Sequence, residues 1–128
     1  MSDLTPAASA LVVHGDRILL VRSKRTQRYW AFPGGKSEQG EDAADTAVRE
    51  VKEEVGLSVT LTRELGKYRI ESSGFEITCF ASTSPSLELT LDAGEILEAK
   101  WCTFEEALQL DLISTARDAL LEFRRTAS

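Results

Sequence analysis

The stretch "FPGGKSEQGEDAADTAVREVKEEVGL", Phe32 to Leu57, decides the fold. From Asp42 to Val55 its apolar residues Ala44, Ala47, Val48, Val51 and Val55 recur at i, i+3, i+4, i+7 and i+11, the spacing of a single helix stripe. Gly56 stands where such a helix takes its left-handed C′ residue. Upstream, Pro33-Gly34-Gly35 reads as a turn after the short extended run "YWAF". Glu50, Glu53 and Glu54 fall on one flank of the helix, in an arc of roughly 100° centred roughly 110° from the apolar stripe. They therefore sit beside the buried edge, while Asp45 and Lys52 point farther outward.

Two readings of that flank compete. Like charges at i, i+4 repel by a few tenths of a kcal/mol, roughly, and Glu50 and Glu54 have no basic residue interposed on their own face. A solvated acidic face relieved by Arg49 and Lys52 is one outcome. The other is a site for a hard divalent cation, since Mg²⁺ and Mn²⁺ take carboxylate oxygens and leave further positions to water and phosphate.

Outward from the helix, "ASALVVH" and "RILLVR" read as strands joined by "GD", and "SKRTQR" as a basic loop. "LSVTLTREL" alternates at period two. "KYRIES" and "FEITCFAS" read as two strands turned at Ser73-Gly74, and "LELTL" and "ILEAKWCTF" as two extended pieces around "DAGE". Glu105 to Leu110 reads as a short helix, and Ile113, Ala116, Leu120 and Phe123 fall on the stripe of a last one. The order strands, helix, strands, helix predicts an α/β (α+β) fold, a mixed sheet with a helix on each face.

Length and composition, 128 residues with 42% hydrophobic and 28% charged, suit one globular domain over 1–128. No apolar run spans a bilayer and no basic leader precedes the first apolar stretch, so no membrane partner and a cytoplasmic location are expected. The net charge of −6 argues against a nucleic acid polymer as partner. Yet Arg17, Arg22, Lys24, Arg25, Arg28 and Lys36 fall in a run without an acidic residue, a local field for a small phosphorylated ligand. Cys79 and Cys102 match no zinc spacing and read as buried thiols. His14 reads as an exposed bystander at a hairpin.

Gly35, five positions, Glu41, seven positions, then Arg49-Glu50-Val51-Lys52-Glu53-Glu54-Val55-Gly56-Leu57 resembles the signature of the Nudix hydrolase family without a departure, over 35–57. The resemblance implies an α/β/α sandwich and hydrolysis of a pyrophosphate bond in a nucleoside diphosphate derivative. It implies metal ligation of Mg²⁺ or Mn²⁺ by Glu50, Glu53, Glu54 and the Gly34 carbonyl, and an architectural pair of Glu41 and Arg49. It gives Glu50 or Glu53 a part in proton removal. Many family members add a glutamate from a loop outside the signature; Glu95 is the first candidate here and Glu98 the second. For the substrate, a small nucleotide, Arg22, Lys24, Arg25, Arg28 and Lys36 are candidate phosphate contacts, with Arg22, Arg28 and Lys36 foremost. Tyr29, Trp30, Phe75 and Trp101 could stack on a base, Trp30 foremost.

Markers of the ADP-ribose, diadenosine polyphosphate and coenzyme A subfamilies are missing: Ser72 and Ser73 stand where a proline would mark the first, and Tyr68 comes too early for the second. This tilts the expectation to a MutT-type (d)NTP pyrophosphohydrolase. An ADP-ribose or nucleotide-sugar pyrophosphatase and a non-catalytic nucleotide-binding module stay open, as does a homodimer.

Overall fold

The β-rich runs before the loop become β1 (Thr5–His14) and β2 (Arg17–Ser23) in the computed structural model, which describes residues 3–127. Residues 1, 2 and 128, the ends of the span read as one domain, lie outside the described residues. β1 and β2 pair only at their hairpin end, Val13 with Ile18 and His14 with Arg17. Along the first half of β1 a short strand, β3 (Gly34–Lys36), pairs antiparallel instead, with Ser9 opposite Gly34 and Ala7 opposite Lys36. The chain then forms α1 (Ala43–Val55), β4 (Thr60–Ile70), β5 (Phe75–Thr83), β6 (Ile96–Cys102), α2 (Phe104–Leu108) and α3 (Ser114–Thr126). β5 runs parallel to β1, so the sheet, ordered β4-β5-β1-β2-β6, is mixed.

Alternation along β1 divides the core. Ala8, Ala10 and Val12 face α1 and pack with Ala47, Val51 and Val55. Leu11, from the opposite face, packs with Leu20, Ala116, Ala119 and Leu120 under α3. The result is the α/β/α sandwich, as the resemblance implies. Cys79 and Cys102 are buried free thiols. No described helix is long and apolar enough to cross a membrane.

Several local expectations are corrected. Gly34 and Gly35 are strand residues, chosen for closeness rather than for a turn: a Cβ on Gly34 would strike the Ala8 carbonyl and Ser9, and one on Gly35 the Glu50 carboxylate. "LSVTLTREL" and "KYRIES" belong to one strand, β4, whose register against β5 shifts between Leu61 and Arg63 and again between Glu64 and Gly66. "LELTL" is not a strand. Its Thr90 N–H donates to the Val55 carbonyl and the following Asp92 N–H to the Glu54 carbonyl, both at 2.9 Å, so this segment satisfies the open C-terminal carbonyls of α1. His14 is no bystander: its Nδ1 lies 2.8 Å from the Ser84 carbonyl and its ring meets Trp101 edge-on.

α1 is also rolled relative to its apolar stripe. Val48 is exposed, whereas Thr46 and Glu54 are buried on the opposite side of Ala47 and Val51. Gly56 takes the left-handed state at φ 77°, as the sequence predicts, and at the other end the Asp42 carboxylate caps the helix by accepting the Asp45 N–H at 2.8 Å.

Gly34→Ala should therefore lower unfolding stability by about 1–3 kcal/mol, the cost of an overpacked site. Urea denaturation checks this; an unchanged midpoint would contradict the close approach of β3 to β1.

Candidate active site

The roll of α1 carries its acidic flank inward. Glu54 is 8% exposed, and its Oε1 accepts the Gly34 N–H at 3.1 Å. Glu50, one turn earlier, presses its carboxylate on Gly35, where only the missing Cβ leaves room. Both carboxylates thus rest on the backbone of β3. Burial pushes the Glu54 carboxyl from 4.5 up to about 8, and the neighbouring Glu50 charge adds to the rise, against the Gly34 N–H and the Arg25 charge, which lower it.

Arg49 orders everything on the near side of the pair. Its Nε donates to Glu41 Oε2 at 2.7 Å and its Nη2 to Glu41 Oε1 at 2.9 Å, a two-pronged contact. Nη2 also donates to the Lys36 carbonyl at 2.9 Å, and Nη1 donates to Glu50 Oε1 at 2.7 Å and Glu53 Oε1 at 3.0 Å. Glu41 additionally accepts the Glu38 N–H and the hydroxyl of buried Thr46. These donors, Arg49 first, hold the Glu41 carboxyl down at about 2. One guanidinium therefore joins the end of β3, the loop before α1 and two of the three glutamates. It also gives Glu50 and Glu53 a shared counter-charge.

The donor set fits a hard divalent cation in chemistry: a buried carboxylate that resists ionisation lies against a second carboxylate, and both offer oxygen donors. Among the described residues, however, no three acidic, cysteine or histidine side chains converge on one point. Glu53 is the outlier, turned to solvent on its Arg49 contact with its side chain 56% exposed.

Gly34 and Gly35 also line a cleft, open to solvent, between the sheet and the start of α3. Arg25, Lys36, Tyr68, Ile70, Phe75 and Ile113 are among its walls. Of the predicted substrate contacts, Lys36 is there, its Nζ 5.7 Å from the centre of the Phe75 ring. Trp30 is not: it is buried in the core beneath Arg22, leaving no face for a base. Arg22 is tied to Glu98 Oε1 at 2.8 Å and to the Gln27 carbonyl, and Arg28 folds back on Tyr29 at 4.6 Å. Neither lines the cleft.

Glu98 is thereby engaged, whereas exposed Glu95 sits on the turn that follows Asp92 and receives the Lys24 N–H on its backbone carbonyl. The cleft walls Ile70 and Ile77 escaped the sequence reading. Period-two alternation through Tyr68 and Ile70 and through Phe75 and Ile77 is the signal that could have found them.

The NUDIX domain family profile matches residues 3–123. The CTP pyrophosphohydrolase of Escherichia coli (strain K12) is 34% identical over 107 residues, covering 80% of this chain and 79% of that protein. A putative 8-oxo-dGTP diphosphatase of Bacillus subtilis (strain 168) is 25% identical over 123 residues, 96% of this chain and 82% of that one. The crystal structure of a NUDIX hydrolase from Nitrosomonas europaea superposes with a TM-score of 0.85 at 17% identity, over 98% of this chain and 72% of that chain, a likeness of fold.

The raised Glu54 carboxyl has a pH signature. Between 4.5 and about 8 the folded state keeps a proton that the unfolded state has lost, so stability falls as pH rises through that window. Metal-free protein should show a melting temperature that declines from about pH 5 to about pH 8, and Glu54→Gln should flatten the decline. A wild-type profile level over that range would contradict the burial of an uncompensated carboxyl.

Proposed function

Since the chain belongs to the NUDIX domain family, whose members hydrolyse pyrophosphate bonds in nucleotide derivatives, we propose that its own reaction is that of a MutT-type (d)NTP pyrophosphohydrolase, releasing a nucleoside monophosphate and pyrophosphate. The observation that carries this reading is the acidic pair, Glu50 and Glu54, resting on Gly34-Gly35, glycines that also line a solvent-open cleft walled by Arg25, Lys36, Tyr68 and Phe75. Both relatives named above, a CTP pyrophosphohydrolase and a putative 8-oxo-dGTP diphosphatase, are matched over about four-fifths of their own length. The reading takes residues 1–128 as a single Nudix domain and Mg²⁺ or Mn²⁺ as its metal.

In this reading Glu50, Glu53 and Glu54 hold the metal, with the Gly34 carbonyl as a further ligand. When bound, the cation offsets the charge on the phosphate oxygens and acidifies a water. The chain's own groups then have three tasks. β3 has no side chain at residues 34 and 35, so a polyphosphate can approach the backbone closely. Arg49, by holding Glu41 and the Lys36 carbonyl, keeps the loop before α1 in register with the glutamates. Glu53, the most exposed of the three, accepts the proton of the attacking water, and Glu95 is the second candidate for that role. The base enters between Phe75 and Tyr68, below Lys36.

A panel of nucleoside triphosphates, ADP-ribose and nucleotide sugars, assayed with Mg²⁺ and with Mn²⁺, separates the readings. Triphosphates should give the highest kcat/KM, and Glu53→Gln or Glu54→Gln should lower kcat by roughly 10²–10⁴-fold. Faster turnover of ADP-ribose or a nucleotide sugar would replace the triphosphate reading, and binding without turnover would leave a nucleotide-binding module.

A further inference from the structure

The basic run from Arg17 to Lys36 is dispersed by the fold, and its members do different things. Arg17 lies 3.5 Å from Asp16 and 3.6 Å from Glu106, at the far end of β2. Arg22 is held by Glu98, and Arg28 by Tyr29. Arg25 is exposed at the mouth of the cleft beside Thr26, Gly34 and Gly35, and its charge acts on buried Glu54. Among the described residues its guanidinium has no hydrogen-bond or ion-pair partner, so its N–H donors are open to a ligand.

The turn that presents Arg25 is a built one. The Ser23 N–H donates to Thr26 Oγ1 at 2.9 Å and the Thr26 N–H to Ser23 Oγ at 3.1 Å, a reciprocal clasp on either side of Arg25. The Gln27 N–H donates to the Ser23 carbonyl at 2.8 Å, and its side-chain amide to the Lys24 carbonyl at 2.7 Å. Gln27 adopts φ 60°, a left-handed state that a residue with a side chain enters only when its surroundings impose it. The Lys24 N–H donates to the Glu95 carbonyl, and the turn that ends at Glu95 begins at Asp92, which donates to the Glu54 carbonyl. The arginine is thus fastened, through two short loops, to the helix turn that carries the acidic pair.

We propose that Arg25 is the residue that grips the substrate's polyphosphate and takes up the charge that develops on the departing phosphate. The proposal rests on the pyrophosphohydrolase reading above. In the step, the water oxygen forms a bond to one phosphorus while the bridging phosphorus–oxygen bond breaks. The departing phosphate keeps the bonding pair and gains negative charge, and the water's proton goes to Glu53. Arg25 donates N–H hydrogen bonds to the departing oxygens and transfers no proton. A planar fork suits this task, because it can bind two phosphate oxygens at once where an ammonium binds as a point charge.

The test uses Arg25→Ala, Arg25→Lys and, as a charge-matched control remote from the cleft, Arg17→Ala. Arg25→Ala should lower kcat by roughly 10²-fold, the scale of losing one preorganised donor to a developing charge, with a much smaller change in KM. Arg25→Lys should recover only part of the loss, and millimolar guanidinium should restore activity to Arg25→Ala, which a merely structural lesion would not allow. Arg17→Ala should match wild type.

Binding of inorganic pyrophosphate, measured by calorimetry with Mg²⁺, should weaken about tenfold in Arg25→Ala, one charge-assisted contact by affinity arithmetic. This second readout stands even if no nucleoside triphosphate proves to be a substrate, so failure of the substrate reading and failure of the Arg25 assignment are distinguishable. Unchanged kcat together with unchanged pyrophosphate affinity in Arg25→Ala would overturn the proposal.

Discussion

The guanidinium of Arg49 is the contact on which the rest of the site depends. It reaches the Glu41 carboxylate, the Lys36 carbonyl, Glu50 and Glu53 at once, and so ties β3, the loop and α1 into one body. Loss of those bonds would leave β3 held by its ladder with β1 but would free the loop before α1 and the acidic flank from the end of that strand. Exposed ion pairs contribute little to stability, but this one is a network in which a single planar donor serves four acceptors. Its effect is on placement: the carboxylates are held where like charges would otherwise drive them apart.

That placement sets up a conflict that a cation resolves. Glu54 is buried on the core side of α1, where ionisation is costly, and Glu50 beside it raises the cost. A folded chain has no reason of stability to bury the Glu54 carboxylate beside a second one. In the proposed reading the reason is function: a divalent ion held by the pair would bring phosphate oxygens to it. The glycines serve the same end: Gly34 gives its N–H to Glu54, and both lie open to the cleft.

Much of this was legible in the sequence. The spacing from Gly35 to Leu57 specifies the helix, its end at Gly56 and the Glu41–Arg49 pair, all of which are local or close to local. The register of the helix against the sheet was not legible, because it depends on tertiary contacts. Val48 and Thr46 exchange the roles that hydrophobicity alone assigns, and Thr46 is buried because its hydroxyl serves Glu41 and the Asp42 carbonyl. Gly34 and Gly35 looked like a turn because proline and glycine usually mark one. The role that only β1 reveals is close approach of two backbones. For the basic loop, composition says that cations are present but not which are already occupied. Glu98, distant in sequence, removes Arg22, and the reciprocal Ser23–Thr26 clasp presents Arg25.

The central claim is that α1 and β3 hold a buried, proton-bearing acidic pair for a divalent cation. Counting the protons released when Mn²⁺ binds tests it most directly, by calorimetry at pH 7 in buffers of differing ionisation enthalpy. With the Glu54 carboxyl at about 8, most molecules carry that proton at pH 7. The account predicts release of close to one proton per bound ion, abolished in Glu54→Gln. Binding of Mn²⁺ without proton release, or with release unchanged in Glu54→Gln, would contradict it.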